Sequence, residues 1–175
     1  MRAIMAFAAA ALATVPGVVR AAEPPCLTTG EFGALAAYGL PGMIEGVSRR
    51  CAAHLPAGAF LNTAGGALIA RYSAAKPAAW PAAKAVLMKV SGNTPAAALL
   101  LSALPDHAQQ QLVDTLLAGV VEEKFPAETC PMADRLFALL APLPPENTAE
   151  VVGISIGLGA RANQGRIGPV RLCMP

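Results

Sequence analysis

The sequence predicts an all-α protein, a single compact bundle of about seven or eight short helices held together by disulfides. The composition is 55% hydrophobic and only 5% aromatic, and its many alanines favour helices over strands. Apolar residues recur three and four positions apart along most of the chain, the period of an amphipathic helix. The 16 prolines and 16 glycines fall mostly between these segments, which predicts short helices and abrupt turns.

The first 21 residues have the three parts of a secretory signal peptide. Arg2 supplies a positive charge, Ala3 to Val15 form an uncharged apolar run, and Ala21 ends the stretch with a small residue. A run of this length is typical of a cleaved signal, since a bilayer span needs roughly 20 apolar residues. A short membrane anchor and a first helix of the domain are the alternatives. We expect cleavage after Ala21, with residues 22–175 forming one all-helical domain, periplasmic or secreted.

Helical patterns follow one another through the first half of this domain. Thr28 and Glu31 have the spacing of a capping box, so a first helix is expected to begin there, and Pro41 is expected to end it. Further helices are expected at residues 42–56, at 59–72, from around Pro81, and at 95–105, an almost wholly apolar segment that should be buried.

The clearest helical pattern covers residues 105–126. Asp106 can cap its start, and two adjacent apolar rows predict a broad face toward the core. These rows are Leu112, Leu116, Val120 and Val113, Leu117, Val121. Residues 130–143 and 146–160 predict two more helices. Residues 161–175 contain glycine and proline and are expected to form an irregular tail.

Four cysteines lie after the predicted signal and predict two disulfides, as an even count does in an exported chain. Consecutive helices joined by short turns tend to run antiparallel. Cys26 precedes the first predicted helix and Cys51 lies near the end of the second, so we expect these two to pair. By the same reasoning Cys130 should pair with Cys173.

Charge is segregated along the chain. Every charged residue from Val47 to Pro105 is basic, whereas acids dominate from Asp106 to Glu150. Either these segments attract one another within the fold, or the basic segment 47–105, together with Trp80, contacts a lipid headgroup or an envelope polymer. Removal of the two arginines of the signal lowers the formal net charge from +2 to zero. This balance gives no support for a nucleic-acid partner.

The segment "GISIG", residues 153–157, fits the G-x-S-x-G pattern of the serine-hydrolase nucleophile elbow. In that fold an acid and then a histidine follow the serine. No acid or histidine follows Ser155, so a triad would need His54 or His107 from upstream. We expect no catalytic role for Ser155, and a serine-type hydrolase that uses it with an upstream histidine is the alternative.

Two further patterns suggest a cofactor or a metal. Residues 157–162 fit the G-x-G-x-x-A variant of the dinucleotide fingerprint, but the acidic residue required about 20 positions later is absent. Gly157 and Gly159 are instead expected to end a helix. Cys51 and His54 have the spacing of two metal ligands on one helical face, but a structural zinc site needs four. We therefore expect neither a cofactor nor a metal.

These observations favour an exported, non-enzymatic helical protein that binds a partner or a small apolar ligand, or has a structural role in the envelope. The hydrolase using Ser155 and a peripheral membrane protein using residues 47–105 are the alternatives. The structure can separate them. A cavity between helices favours a carrier, Ser155 beside a histidine favours a hydrolase, and a basic face ringed by apolar residues favours a membrane protein.

Overall fold

The computed structural model describes residues 25–92, 94–162, 166–167 and 170–173. These residues form seven α-helices, so the predicted all-α class is confirmed. The helices are α1 Thr29–Cys51, α2 Phe60–Thr63, α3 Gly65–Ser91, α4 Pro95–Ala103, α5 Asp106–Lys124, α6 Cys130–Leu140 and α7 Pro145–Ala162. Two short antiparallel strands, β1 Arg166–Ile167 and β2 Val170–Arg171, follow in the predicted tail. The predicted signal peptide lies outside the described residues.

Helix α1 is the central element, and α3, α5 and α7 pack around it. It begins with the predicted capping box. The Thr28 amide donates to Glu31 Oε2 over 2.8 Å, and the Glu31 amide donates to Thr28 Oγ1 over 3.1 Å. Large side chains such as Tyr38 and Ile44, each 1% exposed, anchor its buried face. Hydrogen bonds within the first turn therefore hold the start of α1, and packing of its buried face holds the rest of the helix.

Two predicted helix boundaries are wrong because the chain continues through prolines. Helix α1 runs through Pro41, which is buried within it, and α3 runs through Pro77 and Pro81. A proline inside a helix costs about 3 kcal/mol or more. Burial of the apolar face of a long helix offsets that cost here. Two long helices thus replace the four shorter ones that the proline positions predict.

Helix α4 is also placed differently from the prediction. None of its residues is buried, and Leu99 and Leu100 are 72% and 58% exposed. Its C-terminal end is held by Gln109 of α5, whose buried amide nitrogen donates to the carbonyls of Leu101 and Leu104 over 2.7 and 2.8 Å. Polar contacts, rather than burial of its leucines, fasten α4.

The four cysteines form two disulfides, Cys26–Cys173 and Cys51–Cys130. The predicted pairing of these cysteines is wrong because α1 is unbroken. Cys26 precedes α1 and Cys51 is its last residue, so a helix of 23 residues separates them by about 34 Å at 1.5 Å per residue. Cys26 instead meets the C-terminal segment, where Leu27 forms a parallel bridge with Leu172.

Glycines set how closely α5 and α7 approach α1. A Cβ atom added at Gly46 would lie 2.5 Å from the Ala118 carbonyl oxygen of α5. A Cβ added at Gly153 of α7 would lie 3.7 Å from the Cα atom of Gly33 in α1. Helices α5 and α7 therefore flank α1 at close range and leave part of its surface between them.

Candidate functional site

An apolar groove runs along α1, and two adjoining pockets form it. We call them the N-terminal pocket and the C-terminal pocket after the ends of α1 that they adjoin. Their volumes are about 270 and 420 Å³ respectively. The N-terminal pocket is lined by residues that include Phe32, Leu35, Tyr38, Leu87, Val113 and Leu117. The C-terminal pocket is lined by residues that include Val47, Val120, Phe125, Leu136, Phe137 and Leu140.

Met43 of α1 and Val152 of α7 line both pockets, so the two pockets adjoin there and together make up the groove. Its floor extends from Phe32 to Val47, a rise of about 22 Å along an α-helix. Met43 is 40% exposed at the junction. Methionine has an unbranched side chain that adapts its shape to its neighbours. Met43 can therefore adjust to a ligand that occupies both pockets.

Apolar side chains continue from the groove onto the surrounding surface. On α5, Val113 and Leu117 of one predicted row line the N-terminal pocket, as expected of a face toward the core. The adjacent row is different, because Leu116 and Val120 are 57% and 55% exposed. The prediction that both rows face the core is therefore wrong. Further exposed apolar residues on α6 and α7 are Leu136, Leu139, Val151, Ile154 and Leu158.

Ser155 lies within α7 on an exposed part of the helix. The two glycines of its motif serve helix packing. Gly153 is buried against Gly33, and a Cβ at Gly157 would lie 3.2 Å from Thr29 Cγ2. A nucleophile elbow needs a sharp strand-to-helix turn, whereas this segment is a continuous helix. The prediction that Gly157 and Gly159 end a helix is wrong, since α7 continues to Ala162.

The other candidate catalytic and metal-binding residues lie on different elements. His54 is exposed in the turn after α1, and His107 is exposed in the first turn of α5. Because Gly157 adjoins Thr29, Ser155 lies toward the start of α1, whereas His54 follows its end. The sulfur of Cys51 is bonded to Cys130, so it offers no thiolate to a metal. Among the described residues, no group of three or more histidines, cysteines, aspartates or glutamates could hold a metal ion.

The lysines of segment 47–105 have partners within the fold. Lys84 Nζ pairs with Asp106 Oδ1 over 2.5 Å, and Lys89 Nζ pairs with Glu31 over 2.8 Å. The buried Trp80 also donates from Nε1 to Asp106, over 3.2 Å. The hydrogen bond from Lys84, followed by that from Trp80, lowers the pKa of Asp106 below its ordinary value. Trp80 and these lysines therefore face acids of the same chain.

A third lysine of this segment lies near the groove. Lys76 pairs with Asp114 of α5, and its Nζ lies 4.5 Å from the centroid of the Tyr38 ring. Burial, followed by the charge of Asp114, raises the pKa of the Tyr38 hydroxyl. Tyr38 is therefore uncharged, and its ring forms part of the apolar lining of the N-terminal pocket.

Comparison of the chain with protein-family models, curated proteins and solved structures found no match. Within the described residues, no helix combines the length and the apolar character that crossing a bilayer requires. Function is therefore inferred from the groove itself.

Proposed function

We propose that the protein is an exported, non-enzymatic carrier that binds an elongated apolar ligand in the groove of α1. The observation that carries this proposal is the chemistry of the lining. Among the described residues that line the two pockets, Lys124 is the single charged one. The two volumes are of the order found in small-ligand sites, roughly 300–1,000 Å³. A groove so poor in polar groups favours a hydrocarbon over a polar solute.

Packing supports a ligand rather than a defect of the core. Protein interiors are close-packed, and voids larger than a water molecule are few. Two adjoining apolar pockets, lined in part by exposed residues such as Val120 and Leu136, depart from that norm. Large exposed apolar patches mark binding grooves or interaction sites. A bound hydrocarbon chain would cover the exposed part of the lining and remove its contact with water.

The exported location is part of the proposal and is supported by the sequence and by the disulfides. The leader ending at Ala21 has the pattern of a secretory signal. Disulfides form and persist in oxidising compartments, and this chain has two. A carrier of apolar molecules in the periplasm or outside the cell would have to shield them from water.

The experiment is a titration of the mature protein with Nile red, an uncharged fluorescent dye, followed by displacement with hexadecanol. Met43→Lys places a charge at the junction of both pockets, and we expect at least about a tenfold loss of dye affinity, equivalent to about 1.4 kcal/mol. Leu99→Lys is the matched control, because Leu99 is 72% exposed on α4 and lines neither pocket. Circular dichroism checks that both variants fold. Equal affinity of the two variants, or failure of hexadecanol to displace the dye, would contradict the proposal.

A further inference from the structure

We propose that the ligand is a long-chain fatty acid, bound with its carboxylate at Arg50 and Lys124 and its tail in the N-terminal pocket. This inference rests on the proposed function, because it assigns the headgroup and the direction of the chain within the same groove.

An arginine follows the last floor residue, Val47, on the same helix. Met43, Val47 and Arg50 are spaced by four and three residues, so they lie on one face of α1. Arg50 Nε donates to the carbonyl oxygen of Phe125 over 3.1 Å, and Phe125 lines the C-terminal pocket. This bond holds the guanidinium against the backbone of a residue that lines that pocket. The planar fork of arginine matches the geometry of a carboxylate.

A second cation lies at the same end. Lys124 is the last residue of α5 and lines the C-terminal pocket. It pairs with Glu123 over 2.6 Å, but their side chains are 72% and 70% exposed. Exposed pairs of this kind contribute little stability, so a ligand carboxylate can take the place of Glu123. The neighbouring acid Glu122 is held by Arg49 over 2.8 Å.

The distribution of charge sets the direction in which the fatty acid lies in the groove. Lys124 lines the C-terminal pocket and Arg50 is bonded to Phe125 of that pocket, whereas the described lining of the N-terminal pocket contains no charged residue. The carboxylate therefore belongs at the C-terminal pocket and the tail in the N-terminal pocket. An extended hydrocarbon chain can follow the floor of about 22 Å.

Trp80 provides an internal reporter of that direction. It is the one tryptophan of the chain, and its ring centroid lies 5.0 Å from that of Tyr38. Tyr38 lines the N-terminal pocket. A bromine atom on a bound chain quenches tryptophan fluorescence at short range. We expect hexadecanoate brominated at its terminal carbon to quench Trp80 more strongly than hexadecanoate brominated next to its carboxylate. Equal quenching, or the reverse order, would overturn the proposed direction.

Calorimetric titrations test the headgroup. Hexadecanoate should bind the mature protein at least about tenfold more tightly than hexadecanol, since a charge-assisted bidentate pair is the strong kind of hydrogen bond. The double variant Arg50→Gln/Lys124→Gln should lose that preference, measured as the ratio of the two affinities within the same variant. The matched control Arg71→Gln/Lys84→Gln removes the same charge. Arg71, like Arg50, donates to a backbone carbonyl, that of Ala141, and neither Arg71 nor Lys84 lines the groove.

The outcomes separate the two proposals. If neither hexadecanoate nor hexadecanol binds, the proposed function fails. If both bind with equal affinity, or if the two double variants behave alike, the headgroup assignment fails and the apolar carrier stands. Retained hexadecanol binding by the groove variant shows that its groove is still folded, so a lost preference for the carboxylate supports the assignment.

Discussion

Gly46→Ala should destabilise the protein, although alanine is the better helix former. An added Cβ at Gly46 would lie 2.5 Å from the carbonyl oxygen of Ala118 and 2.8 Å from Cβ of Val121. The carbonyl is part of the backbone of α5 and cannot rotate away as a side chain can. Helix α5 must therefore move away from α1 to admit the methyl group.

The expected magnitude is the difference of two effects. Overpacking a close contact costs about 1–3 kcal/mol, and replacing glycine by alanine within a helix returns roughly 0.5–1 kcal/mol. The midpoints of these ranges leave a net loss of about 1 kcal/mol in the free energy of unfolding, or about 2–4 °C in Tm for a domain of this size. Urea titration and thermal unfolding, both followed by circular dichroism, measure the two quantities.

Gly119→Ala is the matched control for this prediction. Gly119 lies in α5, where an added Cβ would meet nothing within 4 Å, so the same substitution should stabilise the protein by about 0.5–1 kcal/mol. Because α5 is a wall of the groove, Gly46→Ala should also change Nile red affinity, whereas Gly119→Ala should not. If Gly46→Ala proved as stable as the parent, the close approach of α5 to α1 would be refuted.

Two further predictions concern polar contacts. Tyr72→Phe removes the buried hydrogen bond of 2.6 Å between the hydroxyls of Tyr72 and Thr148, and it should lower the free energy of unfolding in urea by about 1 kcal/mol; an unchanged urea midpoint would argue against it. The hydrogen bond from Lys89 is the largest cause that lowers the pKa of Glu31 in the folded protein. The ionised Glu31 therefore stabilises the fold fully above its unfolded pKa, and this stabilisation is lost as pH falls through the lower folded pKa. Glu31→Gln should therefore flatten the acid side of a plot of urea midpoint against pH, and parallel profiles of variant and parent would contradict this.

The sequence predicted the fold class and the capping box well, because both depend on local pattern. Thr28 and Glu31 lie within one helical turn, and their side chains can reach each other whatever the rest of the chain does. The boundary at Pro41 was wrong because the packing of its surroundings, which local sequence does not reveal, decides whether a helix tolerates proline. The error at Pro41 then carried over to the predicted pairing of Cys26 with Cys51.

The groove was only partly predictable. Met43 and Val47 are four residues apart, which places them on one helical face, but spacing does not tell whether that face is covered by packing or left open to a ligand. Arg50 lies three residues after Val47 on the same face, so its position on the helix follows from the sequence. Its proposed role depends on Phe125, 75 positions away in the chain, which only the fold brings beside it.

The two disulfides should differ in their resistance to reduction, although their effects on the unfolded chain are nearly equal. The sequence separations are 147 for Cys26–Cys173 and 79 for Cys51–Cys130. The chain-entropy model assigns about 5 and about 4.5 kcal/mol to loops of these lengths. A difference in resistance to reduction therefore has to come from how easily a reductant reaches each sulfur atom in the folded protein.

Cys51 and Cys130 are 0% exposed within the main hydrophobic cluster, whereas Cys26 and Cys173 are half-buried. Thiol–disulfide exchange requires a thiolate to reach a sulfur atom. Under native conditions dithiothreitol should therefore open Cys26–Cys173 first, while Cys51–Cys130 persists until the core unfolds. Alkylation of the released thiols followed by peptide mass mapping should show label at Cys26 and Cys173 at early times. Equal labelling of all four cysteines, or earlier labelling of Cys51 and Cys130, would show that the core around α1 and α6 opens more readily than its packing implies.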